Sequence, residues 1–135
     1  MIYLDTHVVA WLYDGRLDLL PIGARDLIET QELLISPMVG LELQLLNERG
    51  RFKPRVGEVL SALSTELGLT VCDLAFPLVA ARARDASWTR DPFDRVIVAQ
   101  AQVRSAPLLT SDHHILEHYE SAIWGPPPPP DRSRS

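Results

Sequence analysis

Apolar positions along this chain fall into two kinds of run, very short blocks bounded by turn residues and longer stretches with a period close to 3.6. Met1 to Leu4, Leu33-Leu34-Ile35, Leu69 to Cys72, Leu108-Leu109-Thr110 and Ala122-Ile123-Trp124 are too short for helices and read as strands. Between them, the spacing predicts helices over His7 to Tyr13, from Pro21 to about Thr30, from Ser36-Pro37 to Glu48, over Arg55 to Glu66, from Phe76 to Asp85 and from Asp91-Pro92 to near Ser105. The stops agree with this division. Gly15 and Gly68 stand where a left-handed residue closes a helix, and Ser36-Pro37 and Asp91-Pro92 each supply a cap followed by proline at the first helical position.

Strands alternating with helices, and apolar on both faces, call for a mostly parallel sheet of four to five strands covered on both sides: a three-layer α/β/α fold of Rossmann-like type. In such sheets ligands gather at the carboxyl ends of the strands. Asp5 follows the first strand and Asp112 follows the fourth, so both are expected at that edge. With 135 residues, 46% of them hydrophobic, the chain suffices for one domain, expected over 1–124. Residues 125–135, with Pro126 to Pro130, read as a proline-rich tail of polyproline character. No internal repeat is visible.

A net charge of −5 argues against a general polyanion binder, although Arg49, Arg51, Lys53 and Arg55 form one local basic cluster and Arg82, Arg84, Arg90 and Arg95 another. The single cysteine, Cys72, can form no internal disulfide and is expected as a buried thiol. No apolar run approaches the roughly 20 residues that span a bilayer, and the first fifteen residues carry Asp5 and lack a basic leader, so the cytoplasm is the expected compartment and no membrane partner is expected.

The candidate chemistry lies in four acids, Asp5, Glu42, Asp94 and Asp112, each beside a predicted strand end or inside a predicted helix. Each has a plain alternative. Asp5 and Asp112 can cap the helices that follow them, Asp91 reads as the cap before Pro92, and Asp94 then sits in a first turn where the macrodipole favours negative charge. Glu42 resists this, because its neighbours three and four positions away are Met38, Val39, Leu45 and Leu46, and an uncompensated carboxylate on an apolar stripe is costly. An arginine or a metal would compensate it. Taken together, four carboxylates suit a hard cation such as Mg²⁺, which takes oxygen ligands at about 2.1 Å. Zinc fits poorly, since His7, His113, His114 and His118 form no spaced set with cysteine, and His7 reads as a packed or edge residue.

Other motifs are absent. There is neither Gly-x-Gly-x-x-Gly nor a phosphate loop ending in Gly-Lys, and His7 stands where an Asp-x-Asp phosphatase would carry its second acid. Tyr3, Trp11, Trp88 and Trp124 read as core or interface aromatics rather than as a base-stacking platform.

Asp5-Thr6-His7, the helix from Ser36 through Glu42 to Arg49-Gly50-Arg51-Phe52, Asp91-Pro92-Phe93-Asp94-Arg95 running into Ala99-Gln100-Ala101, and Leu109-Thr110-Ser111-Asp112 together resemble a PIN-domain protein of the VapC toxin type. The resemblance covers residues 1 to about 124, and Leu41 departs from it where a bulky aromatic is expected. It implies metal binding and catalysis by Asp5, Glu42, Asp94 and Asp112, with Thr6 and Thr110 as supporting hydroxyls and Arg90 and Arg95 as candidates for contacting RNA. It further implies a Mg²⁺- or Mn²⁺-dependent endoribonuclease, the toxin of a toxin–antitoxin pair, dimeric and held in check by a small antitoxin. Two alternatives stay open at this point: a non-cleaving PIN-like module that binds RNA or protein, and a metal-dependent phosphatase.

Overall fold

The computed structural model describes residues 1–125; the expected tail lies, from Pro126 onward, outside the described residues. Five strands, β1 (Ile2–Leu4), β2 (Leu33–Ile35), β3 (Thr70–Val71), β4 (Leu108–Leu109) and β5 (Ala122–Ile123), form one sheet in the order β3-β2-β1-β4-β5. Every neighbouring pair is parallel, with Tyr3 opposite Leu34 on one side and Leu108 on the other. The helices are α1 (Thr6–Tyr13), α2 (Ile22–Thr30), α3 (Pro37–Glu48), α4 (Val56–Leu67), α5 (Phe76–Ala83), α6 (Pro92–Val103) and α7 (His113–His118). The fold is the three-layer α/β/α arrangement read from the alternation of strands and helices.

The three central strands are buried on both faces. Ile2, Leu4, Ile35, Leu108 and Leu109 have no exposed surface, as a parallel sheet covered by helices requires. β3 departs from that pattern, for both of its residues are exposed, Val71 by 48%, because it forms the outer edge of the sheet. The expected strand from Leu69 to Cys72 is therefore shorter, although Cys72 N–H still donates to Ile35 O at 2.8 Å. Cys72 itself is buried and hydrogen-bonds with the Tyr3 hydroxyl at 3.0 Å, which places the thiol in the core as its apolar neighbours predict.

Local signals end the helices where sequence chemistry places them. Gly68, at φ +71°, closes α4. Pro21 occupies the capping place before α2 rather than its first turn, and a short 3₁₀ turn over Leu17–Leu19, not anticipated from the periodicity, carries an exposed Arg16–Asp18 pair at 3.0 Å. Among the described residues no helix is long and apolar enough to cross a membrane.

The sheet order matters for the site. From β1 the chain moves outward to β2 and β3, then returns to place β4 on the other side of β1. The reversal leaves a switch point between the carboxyl ends of β1 and β4, where crevices form in open α/β sheets. Ser36, buried after β2, caps α3 by accepting from Met38 N–H at 3.1 Å and donates to Gln100 Oε1 of α6 at 3.0 Å. This bond ties the helix that carries Glu42 to the helix that carries Asp94.

Candidate active site

Asp5 and Thr110 are the first residues after β1 and β4, and strand register brings them together because Leu4 lies opposite Leu109. Asp5 is buried; its Oδ1 accepts from Thr6 N–H at 2.8 Å and its Oδ2 accepts from Thr110 Oγ1 at 2.6 Å. Thr110 Oγ1 in turn accepts from Asp112 N–H at 3.0 Å. Asp112 Oδ1 caps α7 by accepting from His114 N–H at 2.8 Å and Ile115 N–H at 3.2 Å. Both strand-end acids are therefore caps, as their plain reading has it, and both also face one another's charge. Capping uses oxygen lone pairs without removing the charge, so the two roles coexist.

Glu42, half-buried on α3, receives a hydrogen bond from Thr6 Oγ1. Among the described residues no arginine pairs with Glu42, and the Thr6 hydroxyl is the donor it has. Asp94 lies half-buried in the first turn of α6, and Asp91 caps that helix through Phe93 N–H at 2.8 Å. Among the described residues no group donates a hydrogen bond to the Asp94 carboxylate.

Electrostatics follow from this layout. Burial and then the charges of Asp91, Asp5, Asp112 and Glu42 push the Asp94 carboxyl up to about 7. Glu42 is also raised, by burial first and by Asp5 and Asp91, against the Thr6 hydroxyl, which lowers it. Burial raises Asp5 against the opposing pull of Thr110 and Thr6. Five acids thus share one field at the carboxyl edge of the sheet. Asp91 is the member that the sequence reading set aside as a cap; its spacing of three from Asp94 on a helix start was the available signal. His7 is exposed on α1 with its ring 6.0 Å from that of Trp11, and its charge lowers Asp5 and Glu42, so it edges the cluster.

The cluster suits a hard divalent cation by donor chemistry, since its side chains offer carboxylate and hydroxyl oxygens and little else. Asp94 has no donor of its own to offset its charge. Among the described residues no group of three His, Cys, Asp or Glu side chains stands in ligand geometry. Asp5, Glu42, Asp94 and Asp112 are the residues that could hold it.

The two arginines differ. Arg95 Nε donates to Thr89 O at 2.9 Å and its Nη1 reaches Ala83 O and Arg84 O at 3.5 and 3.4 Å, so its guanidinium ties down the segment before α6. Arg90 is exposed and donates from Nη1 to Ser87 O at 2.9 Å, leaving further donors toward solvent. Trp88, half-buried nearby, stacks on His118 at 5.0 Å between ring centroids.

Residues 2–120 match the PIN domain family over nearly all of the described chain. The chain belongs to the PIN domain family. Among solved structures, this PIN domain is similar to a chain in the crystal structure of VapBC2 from Rickettsia felis bound to a DNA fragment from their promoter, with a TM-score of 0.62 and 17% identity. The likeness covers 93% of this chain and 98% of that one, and at such identity it establishes the shared fold. No curated protein matches this PIN domain.

Proposed function

We propose that this PIN domain is a divalent-metal-dependent endoribonuclease, acting in the cytoplasm as the toxin of a toxin–antitoxin pair and using Mg²⁺, or Mn²⁺ in its place. PIN domains are nucleases, and the observation that carries the reading is Asp94: a half-buried carboxyl raised to about 7 by burial and four acidic neighbours, with no donor to offset it. Such an arrangement is costly in an empty site and becomes favourable when a cation supplies the missing positive charge.

A bound cation would supply Lewis acidity toward a phosphodiester and activation of water. The chain's own residues have separate tasks. Asp5, Glu42, Asp94 and Asp112 hold the positive charge at the switch point; Thr110 and Thr6 fix the rotamers of Asp5 and Glu42 by hydrogen bonds. Arg90, exposed and next in sequence to Asp91, attracts substrate phosphates, which four carboxylates alone would repel. An antitoxin partner is supported by the fold shared with a chain of the VapBC2 complex, and a homodimer is the expected assembly.

The test is cleavage of end-labelled transfer, ribosomal and messenger RNA pools with Mg²⁺ and with EDTA. We expect cutting that requires the metal and is lost in Asp5→Asn and Asp94→Asn proteins that melt as folded domains. Absence of cleavage by the folded wild-type chain in Mg²⁺ would refute the nuclease reading, and cleavage that persists in EDTA or in both variants would refute its dependence on metal and carboxylates. The toxin reading is separately refuted if expression of an active wild-type chain leaves growth unchanged.

A further inference from the structure

Beside the acid cluster, α3 and the start of α6 enclose a cleft of about 260 Å³, walled by Glu42, Leu45, Leu46 and Arg49 on one side and by Asp91 and Phe93 on the other. Glu42, Leu45, Leu46 and Arg49, the residue that caps the end of α3, follow one another at spacings of three, one and three, so they share one helix face. Glu42 and Arg49 are seven positions apart, which sets their backbones about 10 Å apart along the axis. The cleft therefore has an acidic end continuous with the active site, a cationic end, and an apolar wall with one aromatic ring between them. Arg49 is exposed, and among the described residues its side chain pairs with no carboxylate.

We propose that this cleft is a substrate subsite for one nucleotide of single-stranded RNA next to the scissile bond, with its base against Phe93 and its outer phosphate on Arg49. The inference rests on the nuclease reading above. Three features support it. An RNA strand presents a phosphate, a flat base and another phosphate in succession; the base and the outer phosphate match the apolar wall and the Arg49 end, and the scissile phosphate would meet the acidic end with the divalent cation of the nuclease reading held there. The space is at the small end of the range for ligand sites and suits one nucleotide rather than a helix or duplex. A guanidinium and an aromatic ring are also the pair that sequence-tolerant single-strand binding uses, the ring stacking and the cation tracking the backbone. Arg49 and Phe93 are positioned to choose where the strand is cut.

The test measures binding of a labelled mixed-sequence oligoribonucleotide to full-length Asp94→Asn protein in Mg²⁺ at several salt concentrations, together with cleavage-site mapping in otherwise wild-type protein. Arg49→Ala should flatten the dependence of log affinity on log salt by about 0.7, as the loss of one single-strand phosphate contact does, and Arg49→Lys should restore it. Phe93→Leu, which keeps an apolar side chain on that wall of the cleft, should weaken binding roughly tenfold and redistribute the cleavage positions. In wild-type background Arg49→Ala should raise KM with little change in kcat. The proposal is overturned if folded Arg49→Ala keeps the parent salt slope and KM, or if its only effect is weaker association with a co-expressed antitoxin, which would make the cleft a protein contact. An Asp94→Asn protein that still cuts RNA overturns the metal-dependent mechanism, and a folded wild-type chain that cuts no RNA in Mg²⁺ overturns the nuclease reading and this subsite with it.

Discussion

Thr110 Oγ1 donates a 2.6 Å hydrogen bond to Asp5 Oδ2 across 105 residues of sequence, and the same oxygen accepts from Asp112 N–H. One hydroxyl thus positions the acid after β1 and the loop after β4. Its geometry depends on the parallel register that sets Leu4 beside Leu109.

Thr110→Val tests that link. The substitution keeps the branched shape while leaving Asp5, a buried carboxylate, short of one donor, and bonds to charged groups are worth about 1.5–3 kcal/mol. Urea unfolding at pH 7.5 should show a loss of about 2 kcal/mol with an unchanged slope, and RNA cleavage should fall further than stability does. A variant as stable and as active as wild type would mean that Asp5 is oriented by Thr6 N–H alone.

Asp112 permits a contrast between its two roles. Asn caps helices nearly as well as Asp, so Asp112→Asn should retain the bonds to His114 and Ile115 while removing one charge from the field around Asp94. Its metal-free melting temperature should match or exceed wild type, with cleavage lost. Asp112→Ala removes the cap as well and should cost about 1 kcal/mol. Equal destabilisation by both substitutions would show that Asp112 supports the fold through its charge.

Arg95 is expected to act through structure. With donors directed at Thr89, Ala83 and Arg84 carbonyls, Arg95→Lys should lower the melting temperature by several degrees while leaving the salt dependence of RNA binding as it was. A flattened salt slope in a normally stable Arg95→Lys protein would instead assign its guanidinium to the substrate.

The positions of Asp5 and Asp112 could be read from the chain because a parallel strand points whatever follows it at the carboxyl edge, and a short apolar block followed by a polar residue marks such an end. Glu42 could be flagged by its apolar stripe. Its partner could not, because the Thr6 hydroxyl reaches it through the packing of α1 on α3, which spacing does not encode. Asp91 was hidden for a different reason: a carboxylate before proline satisfies the rule for a cap and gives no sign that its charge also falls on Asp94 and Glu42. The exposure of β3 likewise follows from strand order, which places it at the edge, rather than from its own residues.

The strongest pH signature should come from Asp94, whose carboxyl is raised from 3.8 to about 7, by burial first and by Asp91, Asp5, Asp112 and Glu42 after it. Between those two values the folded, metal-free domain holds a proton that the unfolded chain has released. Stability therefore falls as pH rises through that window, the opposite of the usual salt-bridged carboxylate. In EDTA, the domain should melt at a higher temperature at pH 5 than at pH 7.5, and Asp94→Asn should flatten the difference, with the raised carboxyls of Asp5 and Glu42 leaving a residue of the same sign. Mg²⁺ should reverse the trend, because it binds the ionised cluster and stabilises the folded state only where the carboxyls have lost their protons. Cleavage should accordingly rise with pH through about 7. A metal-free domain whose melting temperature climbs steadily from pH 5 to 7.5, in wild type and Asp94→Asn alike, would show that Asp94 is ionised throughout and that the crowding of acids around it is relieved by solvent.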